Sequence, residues 1–226
     1  ALNLLRRTTD CEIELNFTIS RKGLEALREG KCELAGFNFP KSSTNNSKAF
    51  GTFGHLLTKN NGLIFFATRL QGLAVAPGNP KKIYSILDIA SRKAKFINRR
   101  EGTGTRILFD QMLDVLAVKP EEIEGYNDIS DTQFFTAVQI ASGKVDVGLC
   151  TANVAKENGL DFIPLAKEVY YLAADEKFLE TAKAKKFIQF LRSYDWAEFK
   201  DQLEGYDFTG TGEVFKVSDV FTADAS

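Results

Sequence analysis

Apolar and polar positions along the chain alternate between two periods. Residues 11–19 repeat every second position, with Ile13, Leu15, Phe17 and Ile19 on one face, as in a half-buried strand. Residues 21–29 carry Leu24 and Leu27 at helical spacing, with Ser20 placed to cap them and Gly30 to stop them. Residues 33–39 form the next strand, and strand, helix, strand with short links is the sign of a parallel sheet. A short helix over 1–7 precedes this unit. Residues 40–61 show no period and read as a long loop with a helical turn near 50–57. Beyond it the pattern predicts strands over 63–68 and 72–76, a turn at 77–80, a helix over 83–90 and a strand over 94–98. A helix over 107–117 follows, with Leu108, Met112, Val115 and Leu116 inward and Asp110, Gln111 and Asp114 outward. After a turn at 119–122 come a strand over 123–126, a helix from an Asp131 or Thr132 cap to about 142, and a strand over 145–149. Phe135, Val138 and Gln139 neighbour one another on that helix, and Gly143 stops it. Thr151 caps a helix over 152–158, strands fall at 162–165 and 169–173, and helices at 176–192 and 195–203. Residues 210–226 read as a polar tail.

Two runs of alternating strands and helices, with crossovers near 70–76 and 167–173, predict an α/β protein of two lobes. Lobe I is expected over 1–75 plus 168–226 and lobe II over 76–167, each a mostly parallel sheet flanked by helices. Such sheets bind ligands beyond the carboxyl ends of their strands, at helix N-termini, so the cleft between the lobes is the expected site. A lobe of this kind opens on a strand. This chain opens on a helix, so the first strand and its loop are expected upstream of Ala1.

The segment Phe96-Ile97-Asn98-Arg99-Arg100-Glu101-Gly102-Thr103-Gly104-Thr105-Arg106 joins strand to helix through a glycine turn. Gly102 and Gly104 leave backbone amides uncovered, the first amides of a helix lack internal partners, and the helix dipole adds positive potential there. Thr103 and Thr105 add hydroxyls, and Arg99, Arg100 and Arg106 add charge. A small oxyanion suits that set. A tight connection with a threonine N-cap is the alternative. The turn is neither a P-loop nor G-x-G-x-x-G, because no Gly-Lys-Ser/Thr follows and Ile107 stands at the third glycine position. Ser20, Thr132 and Thr151 stand at other caps facing the same cleft.

Composition narrows the picture. With 226 residues the chain can bury a sizeable core, and 29 basic against 30 acidic residues imply no nucleic-acid surface of its own. No apolar run reaches the length of a membrane span, and residues 1–10 lack a signal-peptide layout. Cys11, Cys32 and Cys150 stand apart without C-x-x-C spacing, which fits a reducing compartment. A lone His55 without a nucleophile partner argues against hydrolytic catalysis, and no ligand spacing suggests a metal or cofactor.

The runs GLEALREGKCELAGFNF, QGLAVAPGNPKKIYSILDIA, FINRREGTGTRILFDQML, ASGKVDVGL, GLDFIPLAKEVYYL and GYDFTGTGEV give the chain a resemblance over nearly its whole length. It resembles the periplasmic-binding-protein-like (type II) domain of molybdate/tungstate-related proteins, akin to LysR-type effector domains and oxyanion-binding transport proteins. The resemblance implies ligand contacts from Ser20, from Thr103, Gly104, Thr105 and Arg106, and from Thr132 and Thr151; the basic turn adds Arg99 and Gly102. The family often has histidine after the strand that ends here in Asn38, and its first ligand loop has no counterpart in this chain. The resemblance implies a non-enzymatic sensor domain for an oxyanion such as molybdate or tungstate, attached to an upstream DNA-binding domain in a cytoplasmic, dimeric regulator. The alternatives are a periplasmic solute-binding protein serving a membrane transporter, and a binder of small carboxylate metabolites.

Overall fold

The computed structural model describes residues 14–41, 53–199 and 202–221. The expected helix over 1–7, Cys11 and Ile13, and most of the 40–61 loop lie outside them. The fold is α/β, built on an eight-stranded sheet ordered β1 (Ala35–Pro40), β6 (Asp161–Asp175), β2 (Asn61–Val75), β5 (Val147–Thr151), β3 (Phe96–Arg99), β4 (Ile129–Ser130). Two short strands, β7 (Tyr206–Asp207) and β8 (Val214–Lys216), pair with β2.

The two pairs of short strands expected near the crossovers are instead two continuous strands of 15 residues, β2 and β6, antiparallel to each other. Arg69, Gln71 and Glu168 interrupt the apolar pattern, yet each finds a partner on a neighbouring element, so the ladder is not broken there. Register irregularities between Phe65 and Ala67 and between Gln71 and Gly72 bracket that polar stretch, and bulges of this kind sharpen local twist and bend. Among the described residues parallel pairing is confined to β3 with β4 and β3 with β5. The β1 strand runs antiparallel to β6, and residues 14–19 join no ladder, so the parallel unit expected at the start is absent among the described residues.

Four apolar clusters hold the sheet. Leu24, Phe37, Phe39, Phe53 and Tyr171 form one, and Ile64, Leu172, Phe187, Leu191 and Trp196 another. The other two gather Leu73, Val75, Phe96, Phe109 and Leu149, and Ala74, Ile97, Ala137, Ile140 and Cys150. The first two draw on the outer parts of the chain and the last two on its middle. Among the described residues β2 and β6 run from one set to the other, through their polar stretch.

Helices follow local chemistry. The helix α1 (Ser20–Arg28) begins at Ser20 with Ile19 before it and no side-chain cap, so Ser20 is not the cap expected. Ser85 caps α2 (Ile86–Ser91) and Thr103 caps α3 (Gly104–Leu116) by accepting from the Arg106 amide. The helix α3 starts at Gly104, ahead of expectation, and its buried face is Thr105, Leu108, Phe109 and Leu113, while Val115 and Leu116 are exposed, against expectation. Thr132 caps α4 (Gln133–Ala141), whose buried positions are Thr136, Ala137 and Ile140 rather than the exposed Phe135. Thr151 precedes α5 (Ala152–Glu157) without a side-chain cap bond. The helix expected over 176–192 divides into α6 (Glu176–Leu179) and α7 (Ala182–Ser193), because the Thr181 hydroxyl caps a second start. The helix expected over 195–203 is a single 3-10 turn, Trp196–Phe199, and the expected strand at 123–126 is replaced by β4. Within the expected tail lie β8 and α8 (Val217–Val220).

Candidate functional site

Where β2 and β6 cross between the clusters, buried polar side chains collect from both halves. Register sets Arg69 directly opposite Glu168, and Gln71 opposite Thr151 of β5, so Arg69 and Gln71 share one face two residues apart. Arg69 Nε donates to Glu168 Oε2 at 2.8 Å, and its Nη1 to the Tyr206 hydroxyl at 3.4 Å. Gln71 Nε2 donates to Thr105 Oγ1 at 3.2 Å, on the first turn of α3. Gln133, the first residue of α4, completes the bridge. Its Nε2 donates to the same Thr105 oxygen at 3.1 Å, and its Oε1 accepts from the Thr151 amide and hydroxyl, both at 3.0 Å. Thr105 Oγ1 thus accepts twice, which leaves its own O–H to donate.

The carboxyl end of β3 supplies the charge. Arg99 is 8% exposed; its Nη2 donates to the Asp131 carbonyl at 3.0 Å, and its Nε and Nη1 have no partner among the described residues. Burial, and then the charge of Arg69, push the Arg99 pKa down to about 10 against the opposing pull of Asp131. Arg69 behaves oppositely: burial works against its charge, but Glu168 and Tyr206 outweigh it and hold its pKa above the ordinary value. The site therefore holds one arginine paired with a carboxylate and one whose Nε and Nη1 have no hydrogen-bond partner among the described residues.

Beside Arg99, the turn brings further donors. Gly102 has φ +79, where a side chain would be strained, and its α-carbon faces Ile19 just before Ser20. A Cβ on Gly104 would fall 2.4 Å from Asn38 Nδ2, so glycine lets α3 approach β1 this closely. That Asn38 nitrogen is buried and unpartnered, and the first amides of α3 have no acceptor within their own helix. Two more buried oxygens, Glu168 Oε1 and Gln71 Oε1, also lack partners.

The structure thus draws Arg99, Thr103, Gly104, Thr105 and Thr151 into one region, with Gly102 and Ser20 at its edge. Arg106 and Thr132 are engaged by their own neighbours, although Arg106 Nη1 also donates to the Arg99 carbonyl at 3.4 Å. Arg106 Nε is paired with Asp110 at 2.8 Å, one helical turn on, and its guanidinium lies 4.3 Å from the Tyr126 ring centre. Thr132 is exposed and spent on capping, its Oγ1 accepting from the Phe135 amide at 2.9 Å. Arg69, Gln71, Gln133 and Glu168 were missed by sequence reasoning. For Arg69, Gln71 and Glu168 the signal was polar side chains inside mostly apolar runs, 63–76 and 162–174; Gln133 lies outside both.

A sheet of this order, with two sets of core clusters joined by long strands and a buried polar site between them, defines a periplasmic-binding-protein-like α/β fold. The chain belongs to the family of PBP superfamily domains, whose model matches residues 2–192. Among curated relatives it is 33% identical over 195 residues to the uncharacterized protein YvgK of Bacillus subtilis (strain 168), which is 86% of this chain and 63% of YvgK. The chain therefore spans less than two thirds of that relative. A Clostridium perfringens protein solved with bound phosphate superposes with a TM-score of 0.63 at 18% identity, covering 96% of this chain and 92% of that one. The effector-binding domain of QuiR in complex with shikimate gives 0.54 at 15% identity, covering 76% of each chain. At these identities the structural likeness speaks to the fold alone.

Proposed function

We propose that this chain is a non-catalytic ligand-binding domain whose site between the two halves takes a small anion. The observation that carries the reading is Arg99: a buried guanidinium with two nitrogens unpartnered among the described residues, beside a second arginine and the start of α3. A buried charge of this kind is costly unless something pairs with it, and a ligand anion would do so. The Thr105 hydroxyl and the amides of Gly104 and Thr105 would supply the remaining donors, while the Thr103 hydroxyl, which donates to the Arg100 carbonyl at 2.8 Å and accepts from the Arg106 amide, holds the turn in place. A binding rather than catalytic role is supported by the side chains available. His55 is exposed, and burial pushes the Cys150 thiol up to about 12, far from a reactive thiolate. Phosphate and shikimate in the two structural neighbours are both small and oxygen-rich. We read the domain as the effector part of a cytoplasmic regulator, in which ligand closes the halves and shifts an equilibrium. The second reading, a solute-binding component of a transporter, is favoured by the Clostridium perfringens neighbour, described as such for phosphate.

Calorimetric titration with molybdate, tungstate, sulfate, phosphate and small organic acids tests this. Binding in the range of about 1–100 μM is expected for at least one, with a loss of about 100-fold in Arg99→Gln, on the scale of a buried charge-assisted contact. Unchanged affinity in that variant would place the ligand elsewhere.

A further inference from the structure

The acceptor side of the site carries information that the donors do not. Glu168 is fully buried, one of its oxygens is held by Arg69, and the other, Oε1, has no donor among the described residues. An ionised carboxylate only accepts, and a buried acceptor left unmade is costly. Among the described residues nothing uses the second oxygen, and neutralising Arg69 takes only the first. Its position links it to the anion site. Glu168 faces Arg69 across the β2–β6 ladder, Arg69 lies two residues from Gln71 on the same face, and Gln71 holds Thr105 at the start of α3. A negative group placed there also repels any ligand that offers only negative oxygens.

Resting on the anion-site reading above, we infer that the ligand carries a hydrogen-bond donor as well as a negative charge, and directs that O–H or N–H at Glu168 Oε1. The class is a protonated oxyanion or a small hydroxy- or amino-carboxylate. Fully deprotonated oxyanions such as sulfate and molybdate leave the carboxylate unmatched and add like charge beside it.

Matched pairs test this by titration calorimetry on the whole chain: phosphate, which keeps a proton at neutral pH, against sulfate, and glycolate against acetate. In at least one pair the donor-bearing member should bind about tenfold or more tighter, the scale of one hydrogen bond to a charged group. The pair that discriminates identifies the source, a protonated oxyanion or a hydroxy acid. In Glu168→Gln, whose amide can donate as well as accept, that ratio should fall toward unity. The wild-type ratios stand alone if the variant fails to fold. Sulfate binding as tightly as phosphate together with acetate binding as tightly as glycolate would overturn the inference while leaving the anion site intact. If no anion in either pair binds, the anion site falls, and the inference with it.

Discussion

Replacing Arg99 by methionine should make the unliganded protein more stable and the ligand-binding protein useless. The unpartnered Nε and Nη1 donors are buried and cost about 1–3 kcal/mol each. Against that, the variant loses the bond from Nη2 to the Asp131 carbonyl, a charged donor contributing about 1.5–3 kcal/mol. Methionine fills much of the same volume and removes the repulsion from Arg69. The balance is a gain of about 1–3 kcal/mol, which for a chain of this size raises Tm by roughly 3–10 °C. Saturating ligand should reverse the order: at about 100-fold over Kd the wild type gains about 2.7 kcal/mol and the variant nothing. Differential scanning calorimetry with and without the best-binding anion reads both effects. A lower Tm in the unliganded variant, or a ligand-induced shift equal to that of wild type, would show that Arg99 is a structural residue and refute the reasoning.

Arg106→Ala should change anion affinity by less than about threefold while costing roughly 1 kcal/mol of stability, the scale of a half-buried ion pair and a cation–π contact; a large loss of affinity in titration would return Arg106 to the site. Cys150 gives a pH signature: its folded thiol keeps its proton up to about 12, whereas the unfolded thiol releases it near 9.0, so the folded state binds more protons in that window. Its contribution is complete below pH 9 and lost as pH rises toward 12, so the denaturation midpoint should fall less steeply between about pH 8 and 10 in Cys150→Ala than in wild type. Equal slopes would mean that the thiol is not shielded.

Much of the glycine turn was legible in the sequence because its physics is local. Gly102 at positive φ and a threonine cap, here Thr103, follow from residue type and spacing, although the helix opens at Gly104, three residues before its expected start. The ion pair of Arg106 is local too, since Asp110 stands four residues on and helical geometry pairs them. For α3, helical spacing from Leu108 admits either Met112, Val115 and Leu116 or Phe109 and Leu113 as the inner face, and only the packing of Phe96 on Phe109, 4.4 Å between ring centres, decides it. The long strands were illegible for a different reason. Arg69 and Gln71 read as a break until Glu168 and Thr105 appear beside them, and those contacts span 99 and 34 residues. Half the site was hidden with them.

That separation has a consequence during synthesis. Strand β2 lies between β6 and β5, and both follow it in the chain, so its neighbours on either side are made later. At about 5–20 residues per second, the ribosome needs roughly 5–20 s to pass from Arg69 to Glu168. Until β5 is made, a 15-residue strand rich in Leu, Ile and Phe emerges with both edges open, and until Glu168 follows, Arg69 lacks the carboxylate it later faces. The arginine that later sits buried opposite Glu168 meanwhile puts a charge in the middle of that exposed strand, the kind of residue that disfavours pairing between copies of an apolar segment.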